Sequence, residues 1–200
     1  MLNERNKQKG GMKKILAICI LALIAIVGYF VFSNTQNEPK ELNYWASGND
    51  VQAYKDIEVN ANEHWTAKGD FEYFDLKGQA LVEENAEASL TFQGYEVLFH
   101  NGKIDGTEKT GSLSHIRNLY RSLADDNEWF DFEIAVRGKN IAISIKGTDV
   151  VCYTEPEKPF RLDEHKDQVL SHGPITLNGK KGKVSERRIR WIFIKAYCFG

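Results

Sequence analysis

EWFDFEIAVRGKNIAISIKGTDVVCY, residues 128–153, decides the fold. Phe130, Phe132, Ile134 and Val136 alternate with Asp131, Glu133, Ala135 and Arg137, so the four apolar side chains share one face of a strand. Arg137-Gly138-Lys139-Asn140 then has the composition of a tight turn. Ile141, Ile143 and Ile145 repeat the alternation, Lys146-Gly147-Thr148-Asp149 turns the chain again, and Val150 to Tyr153 opens a third strand. The spacing predicts an antiparallel meander with one buried face.

The same period of two extends outward from this unit. Before it, Phe71 to Leu76, Ala80 to Val82, Ala86 to Phe92 and Tyr95 to His100 read as strands. After it come Gly173 to Leu177 and Arg188 to Lys195. Ser112 to Ala124 breaks the pattern. Leu113, Ile116, Leu119, Tyr120 and Leu123 recur at helical spacing there, which predicts a short helix or helical loop with Arg117 and Arg121 on one face, one turn apart. Many short strands with one small helix place residues 61–200 in the all-β class, as a β-sandwich or jelly roll.

Hydrophobic residues at 42% and charged residues at 27% exclude a wholly disordered chain and a polytopic membrane protein. A net charge of -2 argues against a dedicated nucleic-acid binder. The charge is uneven, because residues 1–14 hold Arg5, Lys7, Lys9, Lys13 and Lys14 against Glu4 alone. An uncharged run, ILAICILALIAIVGYFVF, follows over residues 15–32. As a helix it would reach roughly 27 Å, close to a bilayer's hydrocarbon thickness.

The flanking lysines orient such a helix with the N-terminus in the cytoplasm and the body outside it, on the periplasmic or extracellular side. An uncleaved transmembrane anchor is the leading reading. A cleaved signal peptide, with Val31-Phe32-Ser33 as a poor cut site, and a lipid-bearing Cys19 are the alternatives. Residues 33–60 begin polar and read as a linker, with Trp45, Tyr54 and Ile57 near its end suited to pack on the domain. Cys152 reads as a buried strand thiol, and pairing of Cys152 with Cys198 stays open.

Four segments carry a resemblance to a known family. They are GYEVLFHNG (94–102), KTGSLSHIRNLYRS (109–122), the meander extended to YTEP (128–156), and GPITLNGKKGKVSERRIRWIFIK (173–195). In this order they resemble the 3-keto-disaccharide hydrolase domain family over roughly residues 65–195. The closing Leu-Asn-Gly lacks the Gln and His that often follow there, Glu186 stands where an aromatic is common, and Lys146 replaces a usual turn Asn. The resemblance implies a concanavalin- or laminin-G-like sandwich that handles carbohydrate. For characterised members it implies cleavage of glycosides already oxidised at C3, which requires a sugar 3-oxidoreductase to supply the substrate.

A ketone at C3 acidifies the C2 proton, so the chemistry needs a base near C2 and positive charge or a donor where the enolate forms. Alternation along 94–102 puts Tyr95, Val97 and Phe99 in the core and turns Glu96 and His100 outward. Glu96 is the candidate base and His100 a candidate substrate or metal ligand. They stand roughly 13 Å apart along a strand, so they cannot act as a hydrogen-bonded dyad. The competing reading is two solvated polar residues.

Arg117, Arg121 and Asn118 are candidates for binding substrate or enolate, against a solvated helix face. Trp65 is a candidate sugar platform, and Trp129 reads as packing. His115 could join His100 around a divalent metal, although no metal-binding spacing appears. His165 and His172 read as loop residues, and Lys180 to Arg190 as a solvated turn and strand face. A non-catalytic, lectin-like module on the same fold is the alternative function.

Overall fold

The computed structural model describes residues 51–84, 86–102, 108–180 and 187–197. The basic end, the run expected to span a membrane and the first part of the linker lie outside the described residues. So does Cys198. Among the described residues no helix is long and apolar enough to cross a membrane.

The described residues form ten strands: β1 Val51–Glu58, β2 His64–Thr66, β3 Tyr73–Val82, β4 Ala88–Phe92, β5 Tyr95–Phe99, β6 Trp129–Arg137, β7 Asn140–Ile145, β8 Thr148–Thr154, β9 Ile175–Gly179 and β10 Arg187–Tyr197. They build a six-stranded sheet ordered β1-β10-β3-β6-β7-β8 and a four-stranded sheet ordered β2-β9-β4-β5. The predicted meander is β6, β7 and β8, antiparallel throughout. Its second turn places Lys146 and Gly147 at φ 51° and 73°, as a type I′ hairpin requires.

Alternation does the rest. Phe74, Leu76, Phe132, Ile134, Ile143 and Ile194 of the wide sheet are buried against Leu90, Phe92, Tyr95, Val97, Phe99 and Leu177 of the narrow one. Edge-to-face pairs join the two layers, Phe74 to Phe92 at 5.3 Å and Phe99 to Phe132 at 4.9 Å between ring centroids. β3 runs unbroken where two strands were expected. Gly78 lies between the two expected strands and sits in register opposite Phe132 and Ile192. Val51–Glu58, assigned to the linker by its weak periodicity, is an edge strand paired with β10 and buries Ile57.

The helix expected over Ser112–Ala124 does not form. Residues 110–114 instead run along the open edge of β5, with Leu98 N to Ser112 O at 3.0 Å, Gly111 N to Leu98 O at 2.9 Å and Ser114 N to Glu96 O at 2.9 Å. An edge strand leaves main-chain donors and acceptors unpaired, and this segment satisfies them. Leu113 is buried in the core, while Tyr120 and Leu123 are exposed rather than stacked on its face. His115 at φ 63° turns the chain out of any helical path. The structure's one helical element among the described residues is a 3-10 turn at Asp163–His165.

The 155–172 loop is pinned to the sandwich by buried polar contacts. At the β4–β5 turn Gln93 and Gly94 take φ 49° and 76°. Gln93 donates to Phe71 O and Glu72 O at 2.8 and 2.7 Å and accepts from Ser171 N at 3.1 Å. A Cβ at Gly94 would lie 1.8 Å from Asp167 O, so the loop backbone packs directly on the turn. Buried Tyr95 donates its hydroxyl proton to Glu155, whose Oε2 also accepts from Leu170 N at 2.9 Å. Arg161 Nη2 donates to Tyr95 OH at 3.1 Å and to Tyr153 OH at 2.8 Å.

Burial first, and then the Glu155 carboxylate, push the Tyr95 phenol far above its ordinary value, with Arg161 pulling the other way. A raised value means that its contribution to stability is whole below the ordinary tyrosine pKa, about 10, and fades as the pH climbs beyond it. Tyr95→Phe is therefore expected to cost about 1.5–3 kcal/mol in urea unfolding at neutral pH, by leaving Glu155 a donor short. It should also flatten the stability loss above about pH 10; an unchanged alkaline limb would contradict the assignment. Gly94→Ala should lower stability by clearly more than Gly138→Ala. Gly138 also has positive φ, 59°, but open space around its Cβ position, so it reports the backbone cost alone, about 1–2 kcal/mol.

Candidate active site

The narrow sheet turns one face to the core and the other outward, and the outward face is polar. In register, Thr66, Thr176, Thr91 and Glu96 form one row across β2, β9, β4 and β5, and His64, Asn178, Ser89 and Leu98 form the next. Thr66 Oγ1 and Thr176 Oγ1 are 3.1 Å apart. Asn178 Nδ2 donates to Thr91 Oγ1 at 3.2 Å, and Thr91 Oγ1 donates to Thr176 O at 3.3 Å. The hydroxyl of Ser89, wholly buried, has no hydrogen-bond partner among the described residues.

Lys180 follows β9 directly and reaches back over this face. Its Nζ lies 2.9 Å from Glu96 Oε1 and 3.5 Å from Glu87 Oε1. All three side chains are partly exposed, so the pair is neither sealed in the core nor freely solvated. Chemically this sets a carboxylate beside an ammonium ion. On a 3-keto sugar the C2 proton and the C3 oxygen sit on adjacent carbons, so a base and a charge-stabilising cation acting on them must be near neighbours. Lys180, read from sequence as part of a solvated turn, was missed. The signal lay in the closing Leu-Asn-Gly-Lys segment, where Asn178 and Lys180 occupy the stretch in which the resemblance leads one to expect Gln and His.

The other candidates separate in space. His100 does not face outward: it lies just past β5 with 8% exposure, its Nδ1 is 3.2 Å from Ala86 O, and its backbone N–H donates to Thr110 Oγ1. The chain leaves the sheet there, and strand alternation no longer sets the direction of the ring. Trp65 lies opposite Leu177 and turns toward the core, edge-on to Tyr54 at 4.7 Å. Trp129 is partly buried at the start of β6. Cys152 is an exposed free thiol rather than a buried one, because it alternates outward between Val151 and Tyr153.

Arg117 and Asn118 line a cleft that Glu96 does not line, while Arg121 is exposed and is not among its lining residues. Tyr153, Arg161, Phe160 and Gln168 line the same cleft and were missed, apart from the YTEP string that carried Tyr153. His115 and His165 stack on its wall with ring centroids 4.0 Å apart. His172 pairs with Asp70 at 2.8 Å on the surface. Among the described residues no three His, Cys, Asp or Glu side chains converge as a metal site would need. The two carboxylates that do converge, Glu87 and Glu96, share the Lys180 ammonium.

Comparison with known proteins agrees with this architecture. The model of the 3-keto-alpha-glucoside-1,2-lyase-like domain matches residues 38–195. No curated protein matches the chain. Among solved structures, a candidate glycosyl hydrolase from Parabacteroides distasonis is similar at 11% identity and TM-score 0.60, over 72% of this chain and 81% of that one. A second from the same organism has 16% identity and TM-score 0.52, over 75% and 88%. A beta-1,3-1,4-glucanase (lichenase) from a mouse hindgut metagenome has 13% identity and TM-score 0.50, over 71% and 80%. At such identities the likeness is one of fold. The family match spans most of the chain, from the stretch before β1 into β10, and on that ground the protein belongs to the 3-keto-alpha-glucoside-1,2-lyase-like domain family.

Proposed function

We propose that this protein cleaves glycosides already oxidised at C3, with the outer face of the narrow sheet as its active site. The observation that carries the reading is the Glu96–Lys180 contact at 2.9 Å on a polar sheet face. Substrate enters between the two groups. Glu96 takes the C2 proton, and the electron pair forms the C2–C3 enolate, whose oxygen faces the Lys180 ammonium. Collapse of the enolate restores the ketone, forms the C1–C2 double bond and expels the group at C1, whose oxygen takes up a proton. Water then adds across the C1–C2 bond. Thr91, Thr176 and Asn178 offer hydroxyl and amide groups to the sugar.

The unoxidised glycoside has no acidic C2 proton, so the mechanism acts only on sugar that an oxidoreductase of the 3-hydroxyl has prepared. We further propose, from the uncharged run at residues 15–32 and the lysines before it, that the domain lies outside the cytoplasm and is held at the membrane by that run.

On a panel of 3-keto disaccharides and their unoxidised parents, followed by NMR, turnover should be confined to the keto forms. Glu96→Gln should lower kcat by about 10²–10⁴-fold. Lys180→Met should lower it by about 10²–10³-fold, with both variants retaining the wild-type melting temperature. Shifts on binding the parent sugars without any turnover would replace the enzyme by a lectin. For the location, cell fractionation should find the full-length chain with the membrane, and protease added to cells opened only to the extracytoplasmic side should digest residues 51–197. Protection of that segment would place the domain in the cytoplasm.

A further inference from the structure

The edge cleft is the strongest feature that this chemistry leaves unused. It has a volume of about 830 Å³, within the range of small-molecule sites, and neither Glu96, Lys180 nor Asn178 lines it. Its floor is Tyr153, 7% exposed, flanked by two guanidinium groups, Arg117 at 5.6 Å and Arg161 at 6.0 Å from the ring centroid. The two arginines differ in state. Arg161 is spent on structure, donating to Tyr95 OH, Tyr153 OH, Gln168 O and Phe160 O. The Arg117 guanidinium is exposed, and among the described residues it donates only to the neighbouring Ile116 O and has no carboxylate within ion-pair range.

Two polar groups there are incompletely matched. Tyr153 OH accepts from Arg161, and its own proton meets no acceptor among the described residues. Gln168, 6% exposed, donates to Ser114 O, while its Oε1 meets no donor among the described residues. A cleft with an unmatched cation and an unspent phenol proton calls for a ligand that brings an anionic acceptor. The rim is aromatic, with Phe160 87% exposed on one side. On the other side a second hollow of about 480 Å³ shares His115 to Asn118 with the first and adds exposed Tyr120. Exposed rings flanking polar clefts suit the apolar faces of pyranose rings, and the shared wall leaves room for more than one sugar across Arg117.

We propose that this cleft is a second saccharide site that takes a uronic acid residue of a glycan chain, its carboxylate on Arg117 and the Tyr153 hydroxyl and a ring face on Phe160. The site goes beyond the reading of the Glu96 face and does not depend on it.

The test is calorimetric titration of the full-length protein with a galacturonic acid trisaccharide, its methyl ester and a sulfated neutral trisaccharide. The acid should bind about tenfold or more tightly than the ester. Arg117→Gln should erase that preference, and Phe160→Ala should weaken acid and ester alike. Both side chains are exposed, so unchanged urea midpoints would show that the variants fold. Glu96→Gln should leave the preference in place, which separates failure here from failure of the catalytic reading. Equal affinity for acid and ester, or an Arg117→Gln variant with the wild-type preference, would overturn the site. A sulfated sugar that binds as tightly as the uronate would overturn the carboxylate assignment.

Discussion

Because successive side chains of a strand point to opposite faces, each residue that β4, β5 and β9 give to the core commits its neighbour to the outside of the narrow sheet. Tyr95, Val97 and Phe99 are buried, so Glu96 faces out; Leu90 and Phe92 are buried, so Ser89 and Thr91 face out. Ile175 and Leu177 do the same for Thr176 and Asn178. The polar outer face is thus the complement of the core. A one-residue slip of β5 would bury Glu96 and expose Val97 together, and one of β4 or β9 would bury threonine and expose leucine, so the force that folds the sandwich also keeps this face in register.

What the sheets leave open, the loops close. The β5 edge is covered by residues 110–114, and the other side of that segment turns Arg117 toward Tyr153. The 155–172 loop is tied down through Gln93, Gly94 and the Tyr95–Glu155–Arg161 contacts. Buried polar groups of this kind are costly unless nearly all are satisfied, and their satisfaction gives the loop one geometry. Two polar regions result, one on a sheet face set by strand register and one in an edge cleft set by loops.

The meander, the core faces of β3 to β7 and the outward direction of Glu96 were legible in the sequence because period two is a local property. The false helix over Ser112–Ala124 shows the limit. Leu113, Ile116 and Leu119 have helical spacing, yet an unsatisfied sheet edge nearby in space was a stronger demand than local periodicity, and no local pattern announces it. His100 shows a second limit, since alternation ceases to direct side chains once the strand ends at Phe99.

Alternation of apolar and polar residues, read along the chain alone, determined that this protein is a sandwich of antiparallel strands and which side of each strand is core. Its four ordered segments pointed to the family. Only the tertiary structure decided that Lys180, 84 positions along the chain from Glu96, meets it at 2.9 Å, and that Arg117 and Arg161 share the ring of Tyr153. The reason is physical: core direction follows from backbone geometry within a few residues, whereas a contact between distant charges depends on which strands become neighbours and where their loops are anchored.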